Sequence, residues 1–137
     1  MTILHFDKVS DARNNFKDLL DAAGQGRPAT VSREGQTAAV VDASRLRYFL
    51  ARLVPHTKVV FEEGSWWAFI PGVPISADGA TLDEVVDNMI DALHEYAEDW
   101  QERLSTAPNH ENNWGLVQLV SLSTVAQLRE WLSGVAP

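Results

Sequence analysis

Six side chains in the first third of the chain carry groups suited to nucleic acid. Ser10, Arg13, Asn14 and Lys17 lie at the start of an amphipathic stretch, and Ser32 and Arg33 at the tip of a hairpin signal. Arginine can bind phosphate, or the O6/N7 edge of guanine in a bidentate fashion, and asparagine can pair with adenine. Serine hydroxyls, lysine and helix N-termini hold phosphate. The same six side chains also suit a solvated helix face and an exposed turn, and their spacing alone leaves both readings open.

A second set is acidic. Asp83, Asp87, Asp91, Glu95 and Asp99 recur every fourth residue. Each like-charged i,i+4 pair costs a helix about 0.2–0.5 kcal/mol. The row is either a solvated face or a surface for a basic protein. On the second reading Glu62, Glu63, Asp83, Asp87, Asp91 and Glu95 are the candidate contacts. A straight line of carboxylates spreads ligands apart, whereas a metal site gathers them from several elements, so no metal and no cofactor are expected. A two-metal nuclease would have to assemble Glu62, Glu63 and Asp78 from separate turns. His5, His56, His94 and His110 are scattered without ligand spacing. The chain has no G-x-S-x-G, phosphate-loop or H-E-x-x-H motif, and no catalytic residue is assigned. Trp66, Trp67, Trp100, Trp114 and Trp131 are able to stack on bases. In an acidic stretch they read instead as core.

These groups must be positioned by short elements. Ile3 to Phe6 begins a strand. Ser10 reads as the N-cap of a helix whose inner face is Ala12, Phe16, Leu19, Leu20 and Ala23, with Gly24 and Gly26 ending it. Ala29–Ser32 and Thr37–Val41 form a hairpin around Glu34-Gly35. Asp42 to Ser44 cap a second helix, 45–53, with Leu46, Phe49, Leu50 and Leu53 inside. The order is β-α-β-β-α. So small a unit is marginal alone, and pairing of two copies would complete its core and set two basic surfaces side by side. After a connector at 55–57, Lys58–Phe61 and Trp66–Ile70 form a hairpin, and Val73–Ser76 a short edge strand. Asp78-Gly79 reads as a turn. Thr81 and Glu84 make a capping box for a helix from Leu82 to about Leu104, with Leu82, Val85, Val86, Met89, Leu93, Tyr96, Trp100 and Leu104 inward. Leu116–Leu122 is predicted as a strand and Ser123–Ser133 as a closing helix, giving β-β-β-α-β(-α). The fold class is α+β, with domains at 1–54 and 58–137.

The chain has 137 residues and a net charge of −8, with 45% hydrophobic residues and no cysteine. That composition supports a packed core and excludes disulfides and thiolate chemistry. Residues 1–54 hold eight Lys/Arg and six acids, net +2, and residues 55–137 hold three and thirteen, net −10. Such a division suggests two kinds of partner, a polyanion and a basic protein. No signal peptide is visible, and no apolar run reaches the roughly 20 residues of a membrane span. A cytoplasmic location and no membrane partner are expected.

Two family resemblances sharpen this. V-S-D-A-R (9–13), Phe16, Leu19-Leu20, V-S-R-E-G (31–35) and Ala38–Val41 resemble the Phd/YefM antitoxins over about residues 3–53. That family is dimeric and binds operator DNA through this domain. The resemblance implies that Arg13 and Arg33 occupy its two arginine positions; Asp11 stands where glutamate is usual. The stretch V-V-F-E-E-G-S-W-W-A-F-I-P-G-V-P (59–74), followed by S-A-D-G-A-T-L-D-E-V-V-D-N-M-I-D-A-L (76–93), is similar to the HicB-like antitoxin domain, a partial RNase H fold, over about residues 58–104. Here Val85 replaces the usual small residue, and the loop from Pro71 to Gly79 is shorter than typical.

Together these imply a type II antitoxin. It would neutralise a small basic ribonuclease of the RelE or HicA kind through the acidic half. It would also repress the shared operon by binding operator DNA as a homodimer or higher oligomer. The alternative is a stand-alone DNA-binding transcriptional regulator whose C-terminal domain serves assembly or binds a ligand. A nuclease is a third reading.

Overall fold

The computed structural model of the chain describes residues 3–134. The outer ends of the two expected domains, 1–2 and 135–137, lie outside them. Two compact units result, Met1–Leu46 and Arg47–Pro137. Among the described residues the architecture is mixed α and β, with two three-stranded sheets and six α-helices.

The first unit begins with β1 (Leu4–Phe6), α1 (Val9–Asn14) and α2 (Phe16–Gly24), continues through β2 (Ala29–Arg33) and β3 (Gln36–Ala39), and enters α3 (Ala43–Leu53), which runs across the division. β1 lies parallel to β2, with Leu4 opposite Ala29, and β2 is antiparallel to β3, with Arg33 opposite Gln36. The connecting turn takes left-handed backbone at both central positions, Glu34 (φ 48°) and Gly35 (φ 79°). Such turns match the twist of the strands they join.

The single helix expected at 10–23 is two helices. Asn15 leaves helical geometry (φ −123°, ψ 30°), and its side-chain amide donates to Asp11 O at 2.9 Å. The break changes the helical phase. Leu19, Ala22 and Ala23 are buried, while Phe16 and Leu20, expected inside, are 55% and 51% exposed. Ser10 is not the N-cap either: that position is Lys8, without a side-chain hydrogen bond. The core of this unit is small, with Ala12, Leu19, Ala22 and Ala29 at its centre and Leu4, Phe6, Val31 and Val40 packed around them. Asp42 does cap α3, accepting from Arg45 N at 3.0 Å. The Arg45 guanidinium in turn donates to Ala23 O and Gly24 O, the carbonyl end of α2, where the helix dipole favours a cation. Of the four residues expected on the inner side of α3, Leu50 is buried, but Phe49 and Leu53 are exposed.

In the second unit β4 (Lys58–Glu62), β5 (Ser65–Phe69) and β6 (Ser76–Gly79) form an antiparallel sheet in that order. Val59 lies opposite Ala68, and Ala68 opposite Ala77. The β4–β5 turn repeats the Glu-Gly device at Glu63 (φ 51°) and Gly64 (φ 80°). α4 (Leu82–Asp99) packs on β5 and β6 and also meets α5 (Trp114–Leu122) and α6 (Val125–Leu132). Thr81 caps α4, accepting from Glu84 N at 3.1 Å. Of the expected inner stripe, Val85, Val86, Met89, Leu93, Tyr96 and Trp100 are buried, whereas Leu82 is exposed. The helix widens to a π-turn over Trp100–Leu104.

Three further expectations fail in this unit. The third strand begins at Ser76 rather than Val73, and Asp78-Gly79 belongs to it instead of forming a turn. Gly79 is required for close approach: a Cβ there would lie 2.6 Å from Val85 N. The strand predicted over 116–122 is the helix α5, so the unit reads β-β-β-α-α-α. Its buried residues, Leu116, Val117, Leu119 and Val120, fall at i, i+1, i+3 and i+4, the spacing of a helical face. A short, nearly continuous apolar run cannot be told from a strand by period alone. α6 carries a complete capping box between Thr124 and Gln127.

Candidate nucleic-acid and protein interfaces

In the first unit α1, α2 and the end of β2 hold the six candidate nucleic-acid contacts. Ser10, Arg13 and Asn14 are exposed on α1, Arg13 in its last turn. Lys17 follows the break and is committed to Asp21, 2.7 Å away across one helical turn. That hydrogen bond, reinforced by the Asp21 charge, raises the Lys17 ammonium above its ordinary pKa. Arg33 ends β2 and is exposed. Strand alternation puts it on the face that Val31 shares, which α1 and α2 cover. There it lines an open concavity with Val9, Gln36, Thr37 and Ala38, beside the start of α1.

Ser32 lies on the opposite face. Its hydroxyl is 3.3 Å from Thr37 Oγ1 and 3.4 Å from His5 Nε2, and His5 is bonded to Thr30 Oγ1 (2.7 Å) and Asp7 Oδ1 (2.9 Å). The fold therefore brings Arg33 close to the α1 start that bears Ser10, and separates Ser32 from it. Among the described residues neither Arg13 nor Arg33 has an ion-pair partner, so both guanidiniums are available to an anion.

On the division the structure makes, residues 1–46 hold six Lys/Arg and six acids, net 0, and residues 47–137 hold five and thirteen, net −8. The net charge of the chain thus resides wholly in the second unit. The first is neutral, with unpaired cations, rather than net basic.

In the second unit Glu62 ends β4, Glu63 sits on the turn, and Asp83, Asp87, Asp91 and Glu95 are exposed along α4. The row on the helix is partly engaged within the chain: Asp87 pairs with Arg129 of α6, and Asp99 with Arg103 at 3.5 Å. Asp83, Asp91 and Glu95 have no ion-pair partner among the described residues. Glu62 and Asp78 belong to one face of the sheet. Among the described residues no group of three or more His, Asp or Glu is placed to hold a metal ion.

The tryptophans divide. Trp100 and Trp131 are buried, as expected of core residues, and Trp66 is half-buried, but Trp67 and Trp114 are 42% and 48% exposed. Trp67 and Phe69 (37% exposed) alternate with Ala68 in β5 and with Ile70 just beyond it, both of which are buried. The sequence held a signal for this. Trp66 to Ile70 is apolar at every position, whereas an antiparallel strand with one wet face alternates. Elsewhere in the unit Tyr96, His110 and Asn113 form a polar cluster, with Tyr96 Oη 2.8 Å from His110 Nδ1 and Asn113 Nδ2, that fastens the loop after the π-turn. No helix is long and apolar enough to cross a membrane among the described residues.

Against this geometry, a family model described as antitoxin of toxin–antitoxin, RelE/RelB, TA system, and termed PHD-like, matches residues 1–124. A crystal structure from Syntrophomonas wolfei subsp. wolfei, described as an antitoxin part of a candidate toxin/antitoxin system, is similar in fold. Its TM-score is 0.75 at 22% identity, over 96% of each chain. No curated protein matches by sequence.

Proposed function

The chain belongs to the PHD-like family of antitoxins of toxin–antitoxin systems, and from that premise we propose that it has two binding surfaces of opposite preference. The second unit neutralises a small basic ribonuclease toxin by direct contact. The first unit binds operator DNA and represses the operon the two proteins share. The chain acts by binding, and the chemistry belongs to the toxin. In family terms this reading makes residues 1–54 a Phd/YefM-like DNA-binding and dimerisation domain, and residues 58–137 a HicB-like domain that lacks the expected fourth strand.

The observation that carries the reading is the charge division. A net charge of −8 confined to residues 47–137 steers and holds a cationic partner. Unpaired Arg13 and Arg33 in a neutral unit suit phosphate and base edges. Dimerisation is supported by the thin core of the first unit and by the exposure of Ile3, Val9, Phe16, Leu20 and Val41. A second copy covering that surface would set two α1 starts against a two-fold symmetric DNA site.

The test uses two assays. The purified chain, added stoichiometrically to its cognate toxin, should stop cleavage of an RNA substrate. The chain should also retard a fragment of its own promoter, and Arg13→Ala or Arg33→Ala should weaken that binding. Removing an arginine that holds phosphate reduces the slope of log affinity against log salt by about 1, whereas removing one that reads a base edge costs about 1–3 kcal/mol and relaxes specificity. Undiminished RNA cleavage would remove the ribonuclease half of the reading, and promoter binding indifferent to both arginines would remove the assigned DNA surface.

A further inference from the structure

The acidic row of α4 is the obvious surface for a cationic toxin, but the sheet of the second unit offers a better one. Its inner face is buried at Ala68 and at Ile70 just beyond the strand, with Phe61 exposed at the turn end, and α4 packs on that side. Its outer face is built from alternate residues in register: Val60, Trp67 and Asp78 in one row, Lys58, Phe69 and Ser76 in the next, and Glu62 opposite Ser65 at the turn end. The central strand presents two aromatic rings there, each more than a third exposed.

We propose that this outer face, centred on Trp67 and Phe69 and flanked by Glu62 and Asp78, is the docking surface for the toxin. The proposal rests on the reading that the second unit holds a basic toxin, and it locates the contact.

Three observations support it. First, β5 is apolar on both faces, the pattern of a strand covered on both sides, and within its own unit only one side is covered. Contiguous exposed aromatics on a water-soluble domain mark an interaction site, and aromatic anchors dominate binding energy where they enter a partner's pocket. Second, the occupant is cationic rather than a second copy of the chain. Self-association through this face would bring together two units of net charge −8 and set Glu62 and Asp78 against like charge. Only Lys58 stands on the face to oppose that repulsion. A basic protein meets the same carboxylates as a complementary rim. Third, the α4 row is less available than its spacing implies, because Asp87 is already paired with Arg129. It acts from a distance, as a steering field.

The experiment uses the full chain and its cognate toxin, with affinity read by displacement of labelled wild-type chain. Trp67→Ser/Phe69→Ser should weaken binding by about 30-fold or more, read once circular dichroism shows the variant to be folded, since each ring is still more than half buried. Asp78→Lys, a surface change on the same face, should also weaken binding and serves should the double variant fold poorly. Asp83→Asn/Asp91→Asn/Glu95→Gln on α4 should cost less, and the difference from wild type should vanish at 0.5 M salt, where screening is effective within about 4 Å. Binding of both sheet variants within about threefold of wild type would overturn the proposal and, if the α4 triple then carries the loss, leave the acidic-unit reading standing. A sheet double variant that changes the oligomeric state and not toxin affinity would assign the face to contacts between copies and also overturn it. No binding of the toxin by the wild-type chain would overturn the reading beneath it.

Discussion

Gly79→Ala tests how closely β6 lies against the start of α4. The new methyl would sit 2.6 Å from Val85 N, 3.0 Å from Glu84 C and 3.1 Å from Glu84 Cβ. Ordinary contact begins near 3.4 Å, so strand and helix must part by about 0.8 Å. The opposing atoms are backbone, and they cannot turn away as a side chain would. The atoms that must move also carry the Thr81 cap, the Val85 N to Thr81 O bond (3.1 Å) and, through β6, the Asn88 Nδ2 to Asp78 O bond (2.9 Å). Overpacking of this kind costs about 1–3 kcal/mol. Removing a glycine returns about 0.4–1 kcal/mol through the unfolded chain. The net is a loss of about 1–2 kcal/mol. A unit of this size would lose roughly 4–16 °C in Tm. All five tryptophans lie between residues 66 and 131, so their fluorescence follows the second unit alone. Gly115→Ala is the matched control: its Cβ meets Leu50 at an ordinary 3.5 Å inside α5, and the helix should gain stability or stay unchanged. A Gly79→Ala transition indistinguishable from that of Gly115→Ala would refute the steric argument.

Three further outcomes follow from the same geometry. Leu119→Ala, at a fully buried site on α5, should lower the fluorescence-monitored stability of the second unit by about 2–5 kcal/mol, and a loss below 1 kcal/mol would contradict the helical packing assigned to that stretch. If the first unit pairs as proposed, Phe16→Ser/Leu20→Ser should abolish the self-association of the chain in sedimentation experiments while circular dichroism is retained, since both residues are exposed; a wild-type chain that sediments as a monomer, or a variant that sediments as the wild type does, would refute pairing through this surface. Asp21→Asn should bring the titration of the Lys17 side chain, followed by NMR, back towards the ordinary lysine value from its raised position. Because the folded pKa is the higher one, the pair's contribution is complete below the unfolded lysine pKa and fades only as pH rises through the folded value, so stability near neutral pH should be flat with respect to this group.

Local chemistry was legible in the residues themselves. The two Glu-Gly turns, the cap by Thr81, the cap by Asp42 and the buried stripe of α4 from Val85 to Trp100 each depend on neighbours within a few positions, and the structure has them where the pattern put them. The confinement of negative charge to the C-terminal part needed only counting, as did the absence of cysteine. Other features depended on partners distant in sequence. Asn15 interrupts a stretch whose apolar spacing continues through it, and the break turned Phe16 and Leu20 outward. The α5 run is apolar enough for either strand or helix, and packing against α4 made it a helix. Gly79 looked like a turn residue because glycine's lack of a side chain has two uses, and only the approach of Val85 shows which applies. Trp67 and Ala68 are adjacent and both apolar, yet one is exposed and the other buried. Hydrophobicity says that a residue favours burial, but which side of a strand receives a cover is decided where the chain returns to pack, and in this chain one apolar side remains open.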